Sequence, residues 1–290
     1  MAQVLGTVVP AGVWRARREA HRARLEGMIG GYLALRRAGR SHPVEDFLFT
    51  YYGHRPGRLL TWHPGAGVVL EGARDFGQAY RDTPEGTTLD LEALLPKRAK
   101  SLAWTRDLLA ATASRQPHLG CFGMHEWAMV YRLGQEEVRH AAWPLRLPPG
   151  EVAAVVEQRG VRCSHFDAFR FFTPPARPLN VLQPTREGQR DQEQPGCLHA
   201  NMDLYKWAYK LSPLIPAELV VDCFALAREI RSVDMRASPY DMAALGHPPI
   251  RVETAEGRAE YAARQRDFAA RAEPLRAALV GHCDRLLSLL

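Results

Sequence analysis

The sequence predicts a mainly α fold, formally α+β with a small β element, in which a basic N-terminal helix precedes one compact helical domain. Three observations carry this. Apolar residues recur at spacings of three, four and seven along most of the 290 residues. Only three short stretches, 68–70, 138–147 and 249–253, read as extended. At 46% hydrophobic and 24% charged, the composition is that of an ordinary globular chain, and the length suffices to bury a sizeable core. The expected division is 1–40 for the basic helix and 41–290 for the domain that carries a pocket.

The first helix spans about 11–40, where Trp14, Leu25, Met28, Ile29, Tyr32 and Leu35 form the apolar stripe. Eight arginines (15, 17, 18, 22, 24, 36, 37, 40) face two glutamates (19, 26), so this segment alone carries +6, the net charge of the whole chain. Such a helix either contacts phosphates or simply solvates one face. A short helix over 44–51 follows, then an irregular run punctuated by glycine and proline, in which Tyr51, Tyr52, Trp62, Arg55 and Arg58 crowd together. Thr87 to Asp90 reads as a capping box for a helix over 87–116, broken in two by Pro96. Further helices are expected at 150–158, from Ser164 (with Asp167 as a capping acid), at 197–211, at 217–232 and at 255–289, the last kinked near Pro274. Residues 173–196 are expected to be a loop rich in proline and glutamine.

Five cysteines without a CxxC pair argue against a disulfide framework and a zinc ribbon. No apolar run approaches the ~18 residues that span a bilayer, and the N-terminus lacks the charge pattern of a secretory signal. The expected location is the cytoplasm, with no membrane partner.

Chemistry concentrates between Arg162 and Lys210. Cys163, His165, Cys197 and His199 recur there beside Asp167 and Asp203, flanked by Phe166, Tyr205 and Trp207. His199 and Asp203 lie at i and i+4, on one stripe of a helix. Just upstream, Cys121, His125 and Glu126 precede Trp127. Asp203 and Glu126 are the first candidates for a working carboxylate, with Asp167 and Asp234 behind them, and His125, His165 and His199 are candidates to orient water or a substrate. If a metal is held, the ligands are expected among His125, His165, His199, Cys163 and Cys197, with zinc or iron as the ion; otherwise no cofactor is expected.

The blocks CFGMHEWAMVYR, RCSHFDAFRFFTPPARPLN, EQPGCLHANMDLYKWAYKLSP and DMRASPYDMAALG resemble a bacterial, actinobacterial-type family commonly named 3-methyladenine DNA glycosylase, over about Ser41 to Leu279. The resemblance implies a DNA-repair hydrolase that flips an alkylated purine out of double-stranded DNA and cleaves its glycosidic bond. On that implication Asp203, Glu126, His199, His165 and His125 would serve the chemistry. Tyr51, Tyr52, Trp62, Trp127, Phe166, Tyr205, Trp207 and Arg236 would hold the base, and Arg15, Arg18, Arg22, Arg55 and Arg58 the phosphates. Two other classes fit the same residues: a metal-dependent enzyme with a Cys/His/Asp site for a small or nucleotide-like substrate, and a non-catalytic DNA-binding accessory protein.

Overall fold

The computed structural model describes residues 6–290; the first five residues of the expected basic segment lie outside it. In chain order the elements are β1 (Thr7–Val9), α1 (Ala11–Arg37), α2 (Phe47–Thr50), α3 (Pro56–Leu60), β2 (Val68–Glu71), β3 (Tyr80–Thr83), β4 (Gly86–Leu89) and α4 (Leu91–Ala113). Then come α5 (Met124–Ala128), α6 (Pro149–Arg159), α7 (Phe166–Phe169), α8 (Gln189–Gln192), α9 (Leu198–Leu211), α10 (Ala217–Ala237) and α11 (Ala255–Leu287). The fold is mainly α with one small sheet, as expected. The chain forms two compact units, each discontinuous in sequence. The first takes the chain up to Asp107 with Leu204–Ala225 and Ala277–Leu290; the second takes Leu108–Asp203 and Leu226–Arg276.

In the first unit, α1 buries Trp14, His21, Leu25, Ile29 and Tyr32, one residue per turn or two along a single stripe. Its arginines pair outward: Arg17 with Glu218 at 2.8 Å, Arg24 with Asp222 at 2.7 Å and Arg22 with Glu26 at 2.8 Å. The sheet has the order β1-β2-β4-β3, parallel between β1 and β2 and antiparallel elsewhere. Gly86 is required at its hairpin: a Cβ there would lie 2.0 Å from the Leu70 carbonyl oxygen. Trp14, Trp62, Leu70, Ala73 and Ala217 form a compact apolar cluster against the sheet.

Several local expectations give way to tertiary structure. Thr87 belongs to β4, not to a capping box, and its hydroxyl donates to the Ala73 carbonyl at 2.7 Å. The cap of α4 is Asp90, whose carboxylate accepts the Ala93 N–H at 3.1 Å. α4 runs unbroken through Pro96 instead of splitting in two, because the one donor the proline removes is outweighed by the neighbouring turns; α11 is continuous and contains Pro274. Residues 138–147 are turns with a single bridge, Leu145 to Tyr240. The Gln135 amide does the work of a ladder there, donating to Ala141 and Trp143 and accepting from Leu145. Residues 249–253 are not a strand either, since Pro248 and Pro249 supply no N–H to pair. α7 begins at Phe166 without a side-chain cap, and Asp167 pairs instead with Arg170 at 3.2 Å.

Candidate metal centre

The centre lies in the second unit and begins with a backbone device. Phe122 and Gly123 both take positive φ, 46° and 72°, immediately before α5. The Cys121 carbonyl accepts the Met124 N–H at 2.9 Å and closes the turn. Gly123 fits because a Cβ there would press to 3.3 Å against Ala237 and Tyr261. This tight entry places His125 and Glu126 in the interior at the first turn of a five-residue helix. α9 supplies His199, and α10 supplies Arg231 and Asp234, three residues apart on one face.

These side chains converge. One ligand atom each from His125, His199 and Asp234 lies within 4.8 Å of the other two, and all three residues are buried, at 2%, 5% and 0% exposure. His125 Nε2 is 2.8 Å from Asp234 Oδ1, and the His125 and His199 rings meet edge to face at 4.4 Å. Arg231 donates to both Glu126 (3.0 Å) and Asp234 (3.1 Å), so the carboxylate is held from two sides. The other ring nitrogen of His125 is 3.7 Å from the Cys121 sulfur.

The electrostatics follow from this packing. Burial alone would keep His125 neutral, but the Asp234 charge and hydrogen bond, helped by Cys121, hold its pKa well above the usual imidazole range. Burial opposes the Asp234 charge as well, yet His125 and Arg231 keep that carboxylate ionised far below its ordinary pKa. His199 goes the other way: burial and the neighbouring His125 charge push it well down, leaving a neutral imidazole. Glu126 is raised by burial and by Asp234 against the pull of Arg231.

A second cluster adjoins the first. His165 Nε2 is 3.4 Å from both Glu193 Oε1 and Asp203 Oδ2, and its ring stacks on His199 at 5.3 Å. Glu193 also accepts from the Gln189 amide at 2.6 Å, and Arg276 donates to Asn201. Among the described residues, the buried carboxylates are Glu126, Glu193, Asp203 and Asp234, and the buried guanidiniums are Arg231 and Arg276.

A pocket of about 310 Å³, open mouth included, reaches this region, and its lining includes Cys121, His125, Cys163, Cys197, His199 and Gln265. Burial pushes the Cys163 and Cys197 thiols up, so both remain protonated. Cys163 donates to the His165 carbonyl and stands outside the His125/His199/Asp234 set, as does Cys197.

The five residues first marked for chemistry (His125, Glu126, His165, His199, Asp203) therefore all lie in the second unit, buried, and two of them line the pocket. Asp234, a lesser candidate by sequence, is central. Arg231 and Glu193 are not among the sequence candidates; the usable signal for Arg231 is its place three residues before Asp234, on the same face of α10.

The expected base-holding residues are dispersed. Trp127 is fully buried, with its indole donating to the Ala237 carbonyl at 2.9 Å. Phe166 lies under the Arg186 guanidinium at 5.3 Å, and Arg236 donates to the Pro248 carbonyl. In the first unit, Trp62 donates to Glu218 at 3.0 Å, Tyr51 stacks on Phe47, Tyr52 stacks on His54, and Tyr205 is fully buried against Tyr209 and Phe224. Trp207 is covered by Trp104 and by Lys206 and Lys210. Of the expected phosphate contacts, Arg15 and Arg18 lie over the Trp14 ring and are exposed; Arg22 pairs with Glu26; Arg58 covers Tyr209 and donates to Ser212; Arg55 is exposed. No described helix is long and apolar enough to cross a membrane. The chain matches no protein-family model, no curated protein and no solved structure.

Proposed function

We propose that this chain is a metal-dependent enzyme in which His125, His199 and Asp234 hold one divalent transition ion, zinc or iron, for work on a small or nucleotide-like substrate. The observation that carries this reading is the convergence of two imidazoles and a carboxylate within 4.8 Å, all three residues buried. Ligand atoms around such an ion stand about 3–3.5 Å apart, so the set needs only small side-chain rotations. Bound there, the ion would polarise a substrate oxygen or lower the pKa of a bound water.

The chain's own residues would do the rest. Arg231 holds Asp234 in place and offsets Glu126. The Cys121 sulfur, 3.7 Å from the His125 ring nitrogen that does not face Asp234, would help to orient that ring. The narrow pocket limits solvent at the centre.

The test is calorimetric titration of chelator-treated protein with zinc and with ferrous ion. One tight site is expected, weakened at least about 100-fold in His199→Ala and in Asp234→Asn. Absence of stoichiometric binding, or full affinity in both variants, would overturn the reading.

The N-glycosylase activity implied by the sequence resemblance is a second reading. What supports it is the exposed pair Arg15 and Arg18 on α1. It requires release of 3-methyladenine from alkylated DNA, abolished in a folded Asp203→Asn variant; no release by the intact protein removes it.

A further inference from the structure

We propose that Cys121 is a covalent modification site for thiol-reactive electrophiles and peroxides, and that its modification controls how tightly the His125/His199/Asp234 centre holds its ion. The inference rests on the metal reading and goes beyond it by assigning the thiol a regulatory role.

Position comes first. Of the five cysteines, Cys163, Cys197, Cys223 and Cys283 are buried and only Cys121 is partly exposed. Its sulfur is 3.7 Å from one ring nitrogen of His125, while the opposite nitrogen faces Asp234 at 2.8 Å. One imidazole thus joins the accessible thiol to the ion's ligands. The left-handed pair Phe122 and Gly123 fixes the sulfur over the pocket, because neither residue can relax without moving α5.

A second observation points to a ligand in the same place. Gln265 lines the pocket and is 1% exposed, and its carbonyl oxygen has no hydrogen-bond partner. Its amide nitrogen is already committed to the Gly196 carbonyl. A buried acceptor left open is costly, so a group carrying an N–H or O–H donor is favoured in the pocket that Gln265 and Cys121 both line. A carboxamide adduct supplies such a donor, and so does a sulfenic acid.

The chemistry is a simple displacement. With iodoacetamide, the sulfur–carbon bond forms, the carbon–iodine bond breaks, and iodide leaves while the thiol proton passes to solvent. With hydrogen peroxide, the sulfur takes one oxygen, the O–O bond breaks, and water leaves, giving the sulfenic acid. Either adduct changes the partner of His125 at the nitrogen opposite the ion. Loss of such an outer contact weakens metal binding about 10–100-fold. The effect is reciprocal: an ion that binds less well to the modified protein must slow the modification when bound.

The experiment uses the full chain with zinc alone and with iodoacetamide as probe. Peptide mapping should find Cys121 labelled at least about tenfold faster than the other four cysteines, and zinc should slow that labelling. Zinc affinity should fall about 10–100-fold in the labelled protein. In Cys121→Ser, whatever its zinc affinity, iodoacetamide should leave that affinity unchanged. Equal labelling of the five cysteines, or labelled protein with unchanged zinc affinity, overturns the proposal while leaving the metal reading intact. Absence of zinc uptake by unlabelled protein overturns both.

Discussion

In the first unit His54 stacks on Tyr209 at 3.7 Å and meets Tyr205 edge-on, and His63 bonds the Tyr80 hydroxyl at 2.8 Å. In the second unit His125 bonds Asp234, and His165 lies between Glu193 and Asp203. Both units bury imidazoles, but only the second buries carboxylates among the described residues. The first lowers the pKa of His21 and His63, chiefly by burial, and packs His54 as a flat aromatic ring. The second must settle charge in a medium that screens it poorly. Buried imidazole alone is therefore a poor marker of a site; imidazole beside a buried carboxylate is a better one.

The largest effect that can break this contrast is expected at Arg231. Arg231→Met leaves Glu126 and Asp234 buried without their shared guanidinium and should cost about 3–5 kcal/mol in urea unfolding. A cost under about 1 kcal/mol would mean that the second core is not held by charge balance.

The next effect is pH dependence from the first unit. Burial, then the Arg58 and His21 charges, push the His63 pKa down to about 4 from an ordinary value of 6.5. The unfolded chain therefore binds the extra proton between these values. Stability from neutral His63 is complete above pH 6.5 and is lost as pH falls from 6.5 to 4. A shift of that size corresponds to about 3 kcal/mol at most, and partial exposure reduces it to about 1–2 kcal/mol. His63→Gln should flatten this part of the profile; an unchanged profile would place the acid sensitivity elsewhere. His125 acts with the opposite sign: its raised pKa gives stability that is present below pH 6.5 and lost as pH rises through the raised value.

The smallest effect is expected at Tyr205, whose buried hydroxyl has no hydrogen-bond partner. Tyr205→Phe should be neutral or stabilise by up to about 1 kcal/mol. A loss above about 1 kcal/mol would reveal a polar contact in the first core and blur its difference from the second.

Much of the architecture was legible in the residues themselves. The Trp14, Leu25, Ile29 and Tyr32 stripe marked α1 because one face had to be apolar whatever it packed on. His199 and Asp203 were expected on one helical stripe, and both are buried. What could not be read were choices made by distant partners. Asp234 looked like a lesser acid because nothing nearby in sequence shows that His125, 109 residues away, will bond it. Glu193 looked like part of a polar loop, although Gln189 and His165 draw it inside. Thr87 fitted a helix cap locally and was claimed by the β2–β4 ladder, which pairs it with Leu70. Local chemistry named most of the actors; the pairing of charges depended on long-range closure.

The four carboxylates in the second core also bear on how the chain reaches its native state. Carboxylates leave water readily only when their charge is met, so on the metal reading a bound ion would help the segments around His125 and Asp234 to close. Refolding from urea with a chelator present should then stall in a collapsed state that binds hydrophobic dyes, and added zinc should release it. On the metal reading, the ion would be an assembly factor before it is a reagent, and the metal supplied during expression would set the yield of folded protein.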